Sequence, residues 1–200
     1  RHPIGQFADL QQIRELTDRL AQISGQLKVF SRKSSGQRIR VSLKACIEGA
    51  RRIVRTRVEQ ADAELLVDLP ADDLFVAADM VQLEQVLVNL IGNACDALVD
   101  QPKKRITLTA RREGARVKLE VQDSGPGIAP DKLKRIFDPF FTTTDSGLGL
   151  GLSISHTIAE RLGGSLTATN AAAGGATFRL LLNTWRTPPA RMRVGGQSSA

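Results

Sequence analysis

The stretch VQLEQVLVNLIGNACDALVD, residues 81–100, carries two stripes at helical spacing. Val81, Val86, Leu87, Leu90, Ile91, Ala94 and Leu98 make a wide apolar face. Gln82, Gln85, Asn89, Asn93 and Asp96 follow one another in steps of three or four and make a second face. That face holds four amides, one carboxylate and no lysine or arginine. An exposed helix face normally mixes charges, and Asn is an indifferent helix former. A row of amides on a helix therefore points to something the amides touch.

The flanking sequence reads as alternating strands and helices. RIRVSL is a short strand, and Ser42 caps a helix over 43–60. ELLVDLP and LFVAAD are strand-like around a turn at Pro70–Asp73, and Asp79 caps the amide helix, expected over 80–99. RITLTARRE and RVKLEVQD form a hairpin through Gly114. A short helix is expected over Asp131–Phe137 and another over Gly149–Leu162, stopped by Gly163–Gly164. SLTATN and ATFRLLL close a second hairpin. The expected fold is α+β: a two-layer α/β sandwich in which helices cover one face of a mixed sheet.

Before this unit, residues 6–33 read as one long helix. Phe7, Leu10, Ile13, Leu16, Leu20, Ile23, Leu27 and Phe30 form a heptad-like seam. A lone helix cannot bury such a seam, and its narrowness favours a helical dimer over packing on the following domain. SRKSSGQR, residues 31–38, reads as a linker, and the tail from Arg186 is expected to be disordered. The division is therefore 1–37, 38–185 and 186–200.

With 200 residues, 42% hydrophobic and 24% charged, the chain can bury one core and carry an appendage. No apolar run approaches the roughly 18 residues of a membrane span, and RHPIGQFADL lacks the apolar segment of a signal peptide, so a soluble piece is expected. Cys46 and Cys95 lie within helical patterns without metal-ligand spacing, which fits a reduced, cytosolic setting. A net charge of +7 invites a nucleic-acid reading. With 4% aromatics and no tyrosine, base-stacking platforms are not expected, and the basic balance suits a polyphosphate instead.

Three glycine clusters follow the amide helix. DSGPG, Asp123–Gly127, ends a strand; its glycines let backbone approach a flat ligand, and a buried Asp there can accept from an amino group such as adenine's. GLGLGL, Gly147–Leu152, opens a helix and exposes N–H groups suited to phosphate, although it is not the dinucleotide GxGxxG fingerprint. GGATF, Gly174–Phe178, enters the last strand. Between the first two lies IFDPFFTTT, whose aromatics read as anchors of a hinged segment, a lid over Phe137–Ser146. Taken singly, these clusters are ordinary turns, loops or core.

Their order is what signifies. An Asn-rich helix, then DxGxG, FDPFF, GxGxG and GxTF, resembles the ATP-binding domain of sensor histidine kinases over residues 38–185. That fold group includes the gyrase B, heat-shock chaperone and mismatch-repair ATPases. The nearest likeness is to the C4-dicarboxylate-transport type of sensor kinase, and the 6–33 helix resembles the second dimerisation helix. The resemblance implies ATP and Mg²⁺ as ligands, with catalytic roles for Asn89 and Asn93. Asn93 is the implied metal ligand and Asn89 lies beside the phosphates. The implied nucleotide contacts are Asn89, Asn93, Asp96, Asp123, Gly125, Gly127, Ile128, Phe137, Thr143, Gly147, Leu148, Gly149, Leu150, Gly151, Leu152 and Thr177. Asp123 would accept from adenine and Thr177 would lie near it. Thr144 stands where many relatives have lysine.

ATP-hydrolysing relatives carry Glu four residues before the metal-binding Asn, as the base that activates water. Asn89 occupies that position, and an amide takes no proton at neutral pH. The resemblance therefore implies transfer of the γ-phosphate to a histidine, then relay to a response-regulator aspartate. The other readings are a serine kinase of the same fold or a non-catalytic nucleotide-sensing or dimerisation module. His2 and His156 lack an acceptor-helix pattern, so the chain is expected to be a piece without the acceptor, homodimeric through its N-terminal helix in the full protein. It is expected to be the cytoplasmic portion of an inner-membrane sensor that does not bind nucleic acid.

Overall fold

The computed structural model describes residues 37–142 and 148–185. Ten elements run in the order β1 (Ile39–Ser42), α1 (Leu43–Gln60), β2 (Glu64–Asp68), β3 (Phe75–Ala78), α2 (Met80–Ala97), β4 (Arg105–Glu113), β5 (Arg116–Asp123), α3 (Gly151–Arg161), β6 (Ser165–Asn170) and β7 (Ala176–Asn183). The 6–33 helix, the tail from Arg186, His2, Thr143 and Gly147 lie outside the described residues.

Five strands form one mixed sheet in the order β2-β4-β5-β7-β6. β2 runs parallel to β4 and the remaining pairs are antiparallel. Strict alternation along β4, β5 and β7 sets the two faces. Ile106, Leu108 and Ala110, then Val117, Leu119 and Val121, then Phe178, Leu180 and Leu182 are buried on one of them. Leu83, Val86, Leu87, Leu90 and Ile91 of α2 are buried in the same core cluster. α2 packs on β5 and β4, α3 on β6 and β7, and α1 on α2. The opposite sheet face is polar and tied by ion pairs, among them Lys118–Glu120 and Arg179–Glu120. The expected two-layer sandwich is what the chain forms.

Several details differ from the sequence reading. The strands either side of Pro70–Asp73 belong to different sheets: β3 pairs with β1 in a separate antiparallel ribbon, joined to the end of β7 by a Val76–Thr184 bridge. Alternation reveals that a segment is a strand but not which strand it joins. Residues 131–137 are successive turns, not a helix. Lys132 and Leu133 both donate to the Ala129 carbonyl, and Arg135 and Ile136 both donate to that of Lys132. Pro139 disfavours helical backbone at Asp138, so no further turn can add on. α3 begins at Gly151 because Gly149 is left-handed, with φ of 66°.

Both caps read from the sequence are formed. The Ser42 side chain accepts from the Ala45 N–H, and Asp79 accepts from that of Gln82. α2 ends at Ala97, two residues earlier than read, and Val81 is half exposed. Asp79→Ala removes the cap and a negative charge from the positive end of the amide helix. It should lower unfolding free energy by about 1 kcal/mol in chemical denaturation.

Candidate nucleotide-binding site

The last residues of β5 carry Asp123 into the interior at 3% exposure, at the sheet end beside the C-terminus of α2. Its Oδ1 accepts from the Gly125 N–H at 2.9 Å and the Ala176 N–H at 3.1 Å. Among the described residues nothing hydrogen-bonds to Oδ2. Burial pushes the carboxyl above its ordinary value, while the N–H groups of Ala176 and Gly125 oppose the rise. The result is a carboxylate with one oxygen committed and the other available to accept.

Glycine is required around it. A Cβ at Gly125 would lie 2.8 Å from the Ala97 carbonyl oxygen and 2.9 Å from Asp123 Oδ1. Gly127, with φ of 79°, abuts Asn170, whose side chain accepts from Ile128 N–H at 2.8 Å and donates to the Ile128 carbonyl at 2.7 Å. Asn170 thus clamps the loop that carries Gly127 and Ile128. The sequence reading missed it because an Asn ending a strand looks like turn chemistry.

Within the amide row, Asn89 faces the start of α3. Asn89 Nδ2 donates to the Gly151 carbonyl at 3.3 Å and to Ser155 Oγ at 3.2 Å. Asn93 Nδ2 is buried without a partner among the described residues. Such an orphaned donor costs about 1–3 kcal/mol, which a bound acceptor would remove. Asp96 is held by Arg57, whose Nη2 lies 2.7 Å from both carboxylate oxygens.

The first turn of α3 has no side-chain cap, unlike α1 and α2. The N–H groups that open a helix have no partner within it, and with the dipole end they form an anion-receptive mouth next to the amides. Gly149 accepts from the Phe140 N–H at 3.0 Å, and a Cβ there would meet the Phe140–Phe141 backbone at 2.5–2.7 Å. Leu148, Leu150 and Leu152 are half-buried. Phe137 meets the ring of His156 at 5.0 Å, so one side of a partly exposed His156 packs on the domain.

Thr177 does not join this group. Alternation turns it to the outer sheet face, opposite Gln122, and it lines a groove there with Thr107, Thr109 and Arg179. Ala176 is the residue beside Asp123. Within GGATF it is Ala176, one residue before Thr177, that meets Asp123, and one residue along a strand reverses the face.

Residues 78–186 match the model of the histidine kinase-, DNA gyrase B- and HSP90-like ATPases. The chain belongs to this family. It is 40% identical over 177 residues to the C4-dicarboxylate transport sensor protein DctB of Pseudomonas aeruginosa, covering 87% of the chain and 29% of that protein. It is 37% identical over 166 residues to the sensor protein FixL of Bradyrhizobium diazoefficiens, covering 82% of the chain and 33% of the relative. The chain thus spans about a third or less of these curated relatives. Among solved structures, the catalytic domain of the histidine kinase ThkA superposes with a TM-score of 0.66 at 29% identity, covering 74% of this chain and 95% of that one. Full-length ShkA in complex with AMPPNP superposes at 0.72 with 26% identity, covering 90% and 39%. The chain is therefore a nucleotide-binding catalytic domain of the sensor histidine kinase type.

The raised Asp123 carboxyl has a consequence for stability. A carboxyl whose folded pKa lies above its unfolded value stabilises most below the unfolded pKa, and that contribution is lost as pH rises through the folded pKa. Asp123→Asn removes this loss. The variant should gain thermal stability relative to the parent as pH rises above the ordinary carboxylate value of about 4. A constant difference in melting temperature would contradict the burial argument.

Proposed function

We propose that the chain binds Mg²⁺-ATP at this site and passes the γ-phosphate to a histidine on a dimerisation domain, for relay to a response-regulator aspartate. The free oxygen of Asp123 takes the adenine amino group, and Gly125 and Gly127 admit the base. Ile128 and Phe137 border it, and the Gly147–Gly151 loop with Leu148, Leu150 and Leu152 meets the phosphates. ADP is the product. The domain would be the cytoplasmic portion of a membrane-anchored sensor and homodimeric through the 6–33 helix; among the described residues no helix is long and apolar enough to cross a membrane.

Asn89 carries the choice of phosphotransfer over hydrolysis. Its amide donates to Gly151 and Ser155, and it offers no proton acceptor of carboxylate strength to water. Phosphoryl transfer depends chiefly on positioning and charge stabilisation, so a water left unactivated and unaligned reacts slowly.

The metal suits the residues present. Amide oxygens are hard ligands for a cation that keeps waters and phosphate oxygens, and with the Asn93 oxygen on the ion its unpartnered Nδ2 would be left to donate to a phosphate oxygen or a water. The ion would offset charge on the phosphates. Asn93 is the proposed ligand, and as a neutral group it adds no negative charge against the triphosphate.

Two experiments test the reading. Asn93→Ala should abolish most of the Mg²⁺ enhancement of ATP binding in calorimetry while sparing weak metal-free binding; unchanged Mg²⁺ dependence would remove Asn93 from the metal site. Incubation with γ-labelled ATP should give slow hydrolysis and no base-stable, acid-labile label on the chain alone. Adding a dimerisation domain that carries an acceptor histidine should give such label on that domain. Rapid phosphate release would favour an ATPase, and label on serine a serine kinase. Failure to bind nucleotide would favour a non-catalytic module.

A further inference from the structure

The amide face of α2 has no cation of its own, and the neighbouring helix brings one to it. Arg57, in the last turn of α1, reaches across to α2. Its Nη2 donates to both oxygens of Asp96, and its guanidinium lies against Gly92. A Cβ at Gly92 would meet Nη1 at 2.6 Å and Cζ at 3.1 Å. Glycine inside a helix is about 1 kcal/mol worse than alanine, and here it makes room for the arginine to cross.

The place of Asp96 gives this contact its meaning. Asp96 follows Asn93 by three residues and precedes Ala97, whose carbonyl backs Gly125. On the proposed nucleotide reading, on which this inference rests, Gly125 marks the adenine end and Asn93 the phosphate end. Asp96 lies on the same helix face between them. A bare carboxylate there would repel the negatively charged phosphates of the ligand. Arg57 and Asp96 are half exposed, at 51% and 44%, and ion pairs of that exposure add little to stability. Their effect is on the local field.

We propose that Arg57 cancels the charge of Asp96 beside the nucleotide, so that the preference for a polyphosphate depends on α1 as well as on the amide helix. Its role is charge compensation at the site, exerted through Asp96, with no part in the transfer step.

The test compares ATP with adenosine, because a field effect scales with ligand charge and a packing defect does not. Calorimetry on the full chain should show Arg57→Ala weakening ATP by about three- to ten-fold and leaving adenosine unchanged. The Arg57→Ala/Asp96→Asn double variant should recover the parent ATP affinity. Asp96→Asn alone, which keeps Arg57 and serves if Arg57→Ala does not fold, should tighten ATP more than adenosine. The ATP effects should shrink as salt is raised. Equal losses for both ligands, no loss for ATP, or a double variant as weak as the single one would overturn the proposal. So would Asp96→Asn without effect on ATP. A parent chain that binds neither ligand would instead overturn the nucleotide reading itself.

Discussion

Helix α2 can bury only one face, and which face it buries decides where every other part of the site stands. Leu83, Val86, Leu87, Leu90 and Ile91 are fully buried in the core cluster that includes the sheet. Each such side chain contributes roughly 1.5–3 kcal/mol, so together they rival the net stability of a small domain. Rotating α2 by one residue would expose several of them. The amides on the adjoining face are therefore aimed by the core, and Asn89 and Asn93 need no local device to hold their direction. The Ala97 carbonyl at the end of α2 in turn abuts Gly125, which brings the DSGPG loop to the same face.

Among the described residues, the unsatisfied polar groups gather at that one place. α1 and α2 have side-chain caps and α3 does not. Asn93 holds an orphaned donor and Asp123 is buried with one oxygen uncommitted among the described residues. Each of these opposes folding or leaves stability unrealised, and each is the complement of part of a polar, anionic ligand. Consistency elsewhere and inconsistency here is the pattern expected where selection on binding overrides selection on stability.

Alternation along β4, β5 and β7 and the caps Ser42 and Asp79 are short-range signals, and these were legible in the sequence. So were Asp123 and the glycines around it, because a left-handed or crowded backbone position admits little else. What could not be read depends on partners far along the chain. The pairing of β2 with β4, and of β3 with β1, is decided by the assembled sheet. The same holds for Arg57, which is 39 residues from Asp96 and looks like any surface arginine of a charged helix. Thr177 shows a different limit: in a strand a displacement of one residue changes the face, so a residue placed near the adenine by family resemblance can lie on the opposite face from Asp123.

Asn89 shows how reaction type and architecture can share one side chain. Its amide nitrogen donates to the Gly151 carbonyl and to Ser155 Oγ, so it pins the glycine-box helix α3 to α2. An ionised glutamate has no donor to offer and would set a carboxylate against that carbonyl. A glutamate at this position would therefore require α3 to start elsewhere or a water to intervene. The absence of a water-activating base and the closeness of the glycine box to the amide row follow from the same amide. A change of residue 89 to a carboxylate would also change the contact that ties α2 to the glycine-rich start of α3.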